Sequence, residues 1–307
     1  MSSLPIKITI VAGHSIAVPT LNILLAQGQL NGVILPPQVD MFSAQLENWL
    51  GQQNIPYLRV QPDSQIALEE LLSHWETDVV LNFGFMNSLQ YFSQANDIKL
   101  FDISLDRSSY LAVKKCCRNI RLLVQERRHA RQVTLAAFDI HSNETAQGLL
   151  NRITSQSINV IEEFLERLQH DVPEHFEPLT FISDDVFQSP LEQELLVDWQ
   201  VDNSETISAM ARAGNPHFGG CTVVIANSPV HLLEAHPVNH PTYGVQPGTI
   251  CHVGDPEGVI VATIDGALRI EVLSTVDGIY GSLSFCEQFK IDAGMAFETK
   301  RLEQITV

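Results

Sequence analysis

Apolar residues in the first third of the chain fall in short blocks separated by stretches of helical periodicity. Ile6 to Ala12 alternates and then runs apolar into Gly13, and Leu21, Leu24 and Leu25 share one face of a helix that opens at Ser15. Leu30 to Leu35 reads as a second strand, Ser43 to Gln52 as a second helix, Tyr57 to Val60 as a third strand and Ile66 to Trp75 as a third helix. Asp78 to Phe85 and Ile98 to Ser104 are short apolar runs with polar or glycine bounds, as parallel strands covered on both faces require, with a short helix between them. Strands alternating with helices at this spacing predict an α/β fold with a doubly wound parallel sheet. Ligands of such a sheet sit beyond the carboxyl ends of its strands, so Asn82 to Ser88 and Asp102 to Asp106 form the candidate site.

Beyond Ser104 the pattern changes. Asn119 to Gln125 and Gln132 to Ile140 are β-like runs around a charged hairpin, Glu126 to Arg131. A long amphipathic helix follows through Leu168, with Thr145 as its cap and Leu149, Ile153, Ile158, Ile161 and Leu165 as its apolar stripe. Asp171 to Leu196 is Pro-rich and acidic without periodicity. A short helix then leads to Arg212, and five short runs punctuated by Gly and Pro, from Thr222 to Leu273, suggest a small antiparallel barrel of the OB kind. The expected division is an α/β domain over 1–170, a linker over 171–197, the barrel over 198–283 and a tail over 284–307.

Composition narrows the function. With 307 residues, 45% of them apolar, the chain can bury a full core. It shows no secretory leader and no apolar run of about 18 residues, so a cytoplasmic protein that does not enter membranes is expected. Five cysteines without C-x-x-C spacing indicate neither a disulfide framework nor a zinc site. His231, Glu234, His236 and His240 lie among prolines and read as surface residues, not metal ligands, and Trp199 and Phe218 read as packing where the domains join. No G-x-G-x-x-G follows a strand, which argues against a nicotinamide enzyme. The net charge of -18 argues against broad nucleic-acid contact. Yet Arg107, Lys114, Lys115, Arg118, Arg121, Arg127, Arg128 and Arg131 face the single acid Glu126 in one segment, +7 (8 minus 1) within a chain of -18, leaving -25 elsewhere. Arg107, Arg127, Arg128 and Arg131 are therefore the candidate anion site, for an anionic small molecule or an acidic protein partner, and the alternative is a solvated face.

Several short motifs, in order, resemble the folate-dependent formyltransferases, the family of methionyl-tRNA formyltransferase and the sugar and peptide-assembly-line N-formyltransferases. Ala12-Gly13-His-Ser-Ile-Ala17-Val18-Pro19 is similar to its opening A-G-T-P-x-F-A-V-P, one residue shorter, and Asn54-Ile55-Pro56 to its N-I-P. Asp78 to Gly84 resembles the D-x-x-V-x-x-x-Y-G strand whose loop lines the folate pocket. Asp198-Trp199, Arg212-Ala213-Gly-Asn215-Pro216, Pro247-Gly248-Thr249-Ile250 and Ala262-Thr263-Ile-Asp265-Gly266 resemble motifs of its barrel half. The resemblance implies a Rossmann-like formyltransferase domain followed by an OB-like barrel. It makes Asn82, Phe83, Gly84 and Phe85 the counterparts of the cofactor loop and 10-formyltetrahydrofolate the cofactor of any active form.

The departures fall on the chemistry. The family uses an Asn to hold the developing oxyanion and a His, oriented by an Asp, to handle protons. Against that pattern Asp102 stands at the Asn position, Ser104 at the His position and Arg128 near the Asp position, with His129 the remaining proton carrier. A carboxylate repels an oxyanion, serine is no base near neutral pH and arginine does not deprotonate. A formyltransferase fold whose chemistry has been dismantled is expected, acting as a binding or scaffold domain. The alternative is an active N-formyltransferase with relocated residues. Initiator tRNA is disfavoured as its substrate, because Asp198 to Val307 carries five basic against 13 acidic residues.

Overall fold

A computed structural model describes residues 6–60, 65–84, 98–126, 129–170, 176–179 and 191–299. The chain divides into two compact units, one holding residues 1–108, 119–139 and 150–188, the other 109–118, 140–149 and 189–307.

The first unit is built from β1 (Ile8–Ala12), α1 (Ala17–Ala26), β2 (Leu30–Leu35), α2 (Met41–Gln52), β3 (Tyr57–Arg59), α3 (Gln65–His74), β4 (Val79–Phe83) and β5 (Lys99–Leu105). After the short α4 (Ser109–Lys114), β6 (Asn119–Glu126) and β7 (Arg131–Asp139) follow, then α5 (Ala146–Gln169) and β8 (Glu177–Pro178). The strands form one sheet in the order β3-β2-β1-β4-β5-β6-β7-β8. Its first five are parallel, as the alternating pattern predicts, and β6 to β8 run antiparallel to their neighbours. β1 and β4 are buried along their whole length, which is why their sequences lack alternation. Asp40 caps α2 by accepting the Ser43 N–H at 2.7 Å, while the Ser43 hydroxyl accepts the Asp40 N–H at 3.1 Å.

Thr145 does cap α5, its hydroxyl accepting the Gly148 N–H at 3.0 Å. The buried stripe runs Leu149, Ile153, Ser157, Ile161 and Leu165, and Ile158 is 39% exposed. Steps of four residues keep to one helix face, so the serine takes the inward place expected of the isoleucine; its hydroxyl is satisfied by donating to the Thr154 carbonyl at 3.0 Å. Part of the expected linker also has structure, since β8 extends the sheet by pairing with β7.

The second unit holds α6 (Ser204–Gly214), the strands β9 (Cys221–Ile225), β10 (Ser228–Val238), β11 (Ile250–Gly254), β12 (Gly258–Ala262), β13 (Ala267–Thr275) and β14 (Gly278–Gly281), then α7 (Ser282–Phe289) and β15 (Phe297–Glu298). The sheet order is β11-β12-β13-β10-β9-β15, with β14 added to β13. A bridge between Thr249 and Ala296 joins the two ends, so the sheet curls shut and its outer strands are not left as open edges. The segment expected as a tail from residue 284 therefore seals the barrel: Phe285, Cys286, Ile291 and Phe297 lie in the core, and Phe297 stacks on Trp199 with ring centroids 5.4 Å apart. Trp199 is thus a barrel-core residue, not one at a junction of domains. Phe218 meets Tyr110 edge-on at 6.1 Å. Gly220, at φ +82°, has no room for a side chain, because a Cβ there would lie 1.9 Å from the Leu232 carbonyl oxygen.

Asp265 ties the barrel to the start of α6. Its carboxylate accepts the Ser204 N–H at 2.9 Å and the Thr263 hydroxyl at 2.9 Å. Partial burial pushes its pKa up, but the hydrogen bonds from Ser204 and Thr263 outweigh that and hold the carboxyl below its ordinary value. Asp265→Ala should cost about 0.5 kcal/mol, the lower end for a side-chain hydrogen bond lost at a helix start, because the group is exposed and screened. With the folded pKa depressed, this contribution is complete above the unfolded value near 4 and disappears as pH falls through the folded one. Urea titrations of both proteins should therefore differ at pH 7, and the difference should shrink as pH falls below about 4.

Candidate functional site

The register of the first unit lines up a polar row across four strands. Asn82 of β4 pairs with Asp102 of β5, Asp102 with Gln125 of β6, and Gln125 with Gln132 of β7. Paired positions in a sheet share a face. All four side chains are buried, between 3% and 6% exposed. On the far side of Asn82 the row ends in apolar Val11 of β1. Asn82 donates its amide N–H to Asp102 Oδ1 at 2.6 Å. That contact also fixes the amide orientation, since the flipped side chain would set two oxygens against each other. The Asn82 Oδ1 atom is then left buried without a hydrogen-bond partner.

Ser104 lies two residues beyond Asp102, half-buried on the same face, and Gly84 ends β4 at φ +68°. Phe83 is fully buried in the core. Asn82, Gly84, Asp102 and Ser104 thus gather where β4 and β5 end. Phe85, Arg127 and Arg128 lie outside the described residues.

His129 does not join this group. The register runs from Asp102↔Gln125 toward the amino end of β5 as β6 continues to Glu126, so the hairpin that bears His129 is directed away from Ser104. Its Nδ1 meets Glu126 at 2.8 Å, and Arg131 pairs with the same carboxylate. Partial burial would raise the Glu126 pKa, but Arg131 and His129 hold it below the ordinary range.

Among the described residues of the basic segment, Arg107, Arg121 and Arg131 are divided between two acids. Asp106, buried and one residue outside the window counted in the sequence, pairs with Arg121 at 3.0 Å and Arg107 at 3.2 Å and accepts the Arg121 N–H at 3.0 Å. Arg121 and Glu126 stand five residues apart on β6, about 17 Å at 3.3 Å per residue. Arg107 and Arg131 therefore belong to separate ion pairs. Lys114 Nζ, over the Tyr110 ring, donates to the Glu194 carbonyl at 2.7 Å, within the second unit. Of the four residues of the candidate anion site, Arg107 and Arg131 are thus bound to different acids, and Arg127 and Arg128 lie outside the described residues.

Gln125 and Gln132 were not distinguished by sequence, because a polar residue ending an apolar run looks like the start of a turn; Asp106 fell within the candidate range, but not its pairing with Arg107 and Arg121. His14 in the β1–α1 loop was also passed over. Burial, partly opposed by Asp40, lowers its pKa to about 4, so the ring is neutral at pH 7, and its Nδ1 accepts the Ile16 N–H at 3.4 Å. In the barrel His236 meets Glu234 at 3.2 Å and His231 meets Thr222 at 3.2 Å. Among the described residues no group of three His, Cys, Asp or Glu side chains could hold a metal ion, and no helix is long and apolar enough to cross a membrane.

Residues 191–279 match the family model of the formyl transferase C-terminal domain. A search of curated protein sequences finds no match. Among solved structures, HypX from Aquifex aeolicus in complex with tetrahydrofolic acid is similar at 16% identity and a TM-score of 0.56, over 97% of this chain and 51% of that one. The chain thus spans about half the length of HypX. The sugar 3N-formyltransferase WlaRD, in the presence of dTDP and 5-N-formyl-THF, is similar at 14% identity and a TM-score of 0.58, over 87% of this chain and 98% of that one. A sugar N-formyltransferase from a Shewanella species gives 8% identity and a TM-score of 0.53, over 78% of this chain and the whole of that one. The resemblance to formyltransferases is thereby borne out, by sequence in the barrel half and by fold over nearly the whole chain.

Proposed function

We propose that this chain keeps the formyltransferase fold as a binding protein and does not transfer formyl groups. The observation that supports it most is the 2.6 Å hydrogen bond from Asn82 to Asp102. Formyl transfer needs a donor aimed at the oxyanion that develops on the formyl oxygen, and losing one such donor costs about 10²–10³ in rate. At the strand end that would supply it, Asp102 as a carboxylate is an acceptor, and one of the two amide N–H groups of the adjacent Asn82 is already directed at it. Ser104 adds a hydroxyl but no base.

The second reading, an active 10-formyltetrahydrofolate-dependent N-formyltransferase, draws on the folates held by HypX and WlaRD. It would need a relocated base. His14 is the neutral imidazole nearest in the chain to the end of β1, but with a pKa of about 4 it is a weak base at pH 7. The test is to incubate the purified protein with 10-formyltetrahydrofolate and a panel of amines (amino sugars, aminoacyl-tRNA, free amino acids) and to follow tetrahydrofolate release. No release above the uncatalysed rate is expected. Turnover that is abolished by Asp102→Ala would overturn the proposal.

A further inference from the structure

The open edge of the first unit's sheet carries an inference about assembly, separate from the question of formyl transfer. β3 ends the strand order, and among the described residues only β2 pairs with it. The Pro56 carbonyl accepts the Val33 N–H at 3.0 Å, and the Val60 N–H donates to the Leu35 carbonyl at 3.2 Å. Backbone direction alternates along a strand, so Pro56, Leu58 and Val60 face β2, and the N–H and C=O groups of Tyr57 and Arg59 face outward. We propose that this edge pairs with the same edge of a second copy of the chain, β3 antiparallel to β3, in a twofold dimer with one continuous sheet.

The edge is self-complementary, as a twofold contact requires. With Leu58 on the axis, Tyr57 exchanges both backbone hydrogen bonds with the partner's Arg59, and Arg59 does so with the partner's Tyr57. Leu58 then meets its own copy at a non-hydrogen-bonded position, where side chains come closest. Tyr57 and Leu58 are both 38% exposed. Val39 and Met41, 69% and 74% exposed, follow the loop whose Pro36 and Gln38 carbonyls accept the Arg59 guanidinium at 2.5 Å and 3.2 Å. Beyond these residues, the exposed large apolar side chains described in the first unit are Val18 and Ile158. Native sheets blunt an open edge with lysine or proline, but the outward positions here hold Tyr57 and an Arg59 that is already paired. Charge selects the occupant. Two copies at -18 repel over most of their surface, yet from Asn48 to Pro62 the chain has no acid, and its only charge, Arg59, is paired with Glu47 at 2.5 Å. A basic strand finds no acid at this edge, and an acidic strand finds its cation neutralised, whereas a second copy meets neither repulsion nor a missing charge.

Sedimentation velocity of the full chain between about 1 and 100 μM should show a concentration-dependent shift from monomer to dimer, as a small interface allows. Leu58→Lys sets like charges opposite each other on the axis and should weaken the dimer about tenfold or more, with the circular dichroism spectrum unchanged. Leu58→Cys tests the register without adding charge, and decides the matter where Leu58→Lys fails to fold. At a non-hydrogen-bonded pair the Cα atoms lie about 4.5 Å apart, within the reach of a disulfide. Oxidised glutathione should therefore cross-link this variant into a covalent dimer faster than the unmodified chain, whose exposed Cys116 sets the background. A monomer at every concentration, a dimer indifferent to Leu58→Lys, or a Leu58→Cys chain that cross-links no faster than the unmodified one would each overturn the proposal. So would a strand of a different protein bound at this edge while the chain alone stays monomeric.

Discussion

Trp199→Ala should lower the stability of the barrel unit by about 3–5 kcal/mol, the range for deleting a large buried aromatic ring. Trp199 is completely buried, stacks on Phe297 at an interplanar angle of 22°, and lies so close to Gly248 that a Cβ there would be 3.2 Å from its ring. The indole Nε1 has no hydrogen-bond partner, so packing accounts for the loss. Trp199→Phe keeps a ring in the stack and removes that unsatisfied N–H, and should cost less than half as much. Equilibrium urea unfolding followed by circular dichroism measures both. A loss below about 1 kcal/mol for Trp199→Ala would mean that the segment ending in Phe297 does not close the barrel in solution.

How far the fold could be read in advance follows from where its information lies. The strands β1, β4 and β5 were legible as short apolar runs with polar or glycine bounds, and the helix α5 from its period, although the inward place of Ser157 was read onto Ile158. The five central barrel strands were legible from turn residues. Closure of the barrel was not, because Phe285, Ile291 and Phe297 reach the core with no common period and β15 is only two residues long. The candidate site was half legible. Motif order located Asp102 and Ser104, but that Asn82, 20 residues away and across a strand boundary, is a partner of Asp102 is revealed only by register. Likewise a count of charge along the chain treats Arg107 to Arg131 as one cluster, whereas Asp106 gathers Arg107 and Arg121 at one end of β6 and Glu126 holds Arg131 at the other.

The central claim is that the Asn82 amide is held by Asp102, with one of its two N–H groups directed at that carboxylate, and a double-mutant cycle tests it most directly. The hydrogen bond is short, buried and made to a carboxylate, the class that contributes about 1.5–3 kcal/mol. Each single change, Asn82→Ala or Asp102→Ala, also disturbs neighbours such as Gln125, and the cycle cancels those separate effects. Unfolding free energies of the two single variants and the double variant, measured in urea at pH 7, should give a coupling of about 1.5–3 kcal/mol. A coupling below about 0.5 kcal/mol with all three variants folded would show that the two side chains act independently, and the account of an Asn82 amide held by Asp102 would then be wrong.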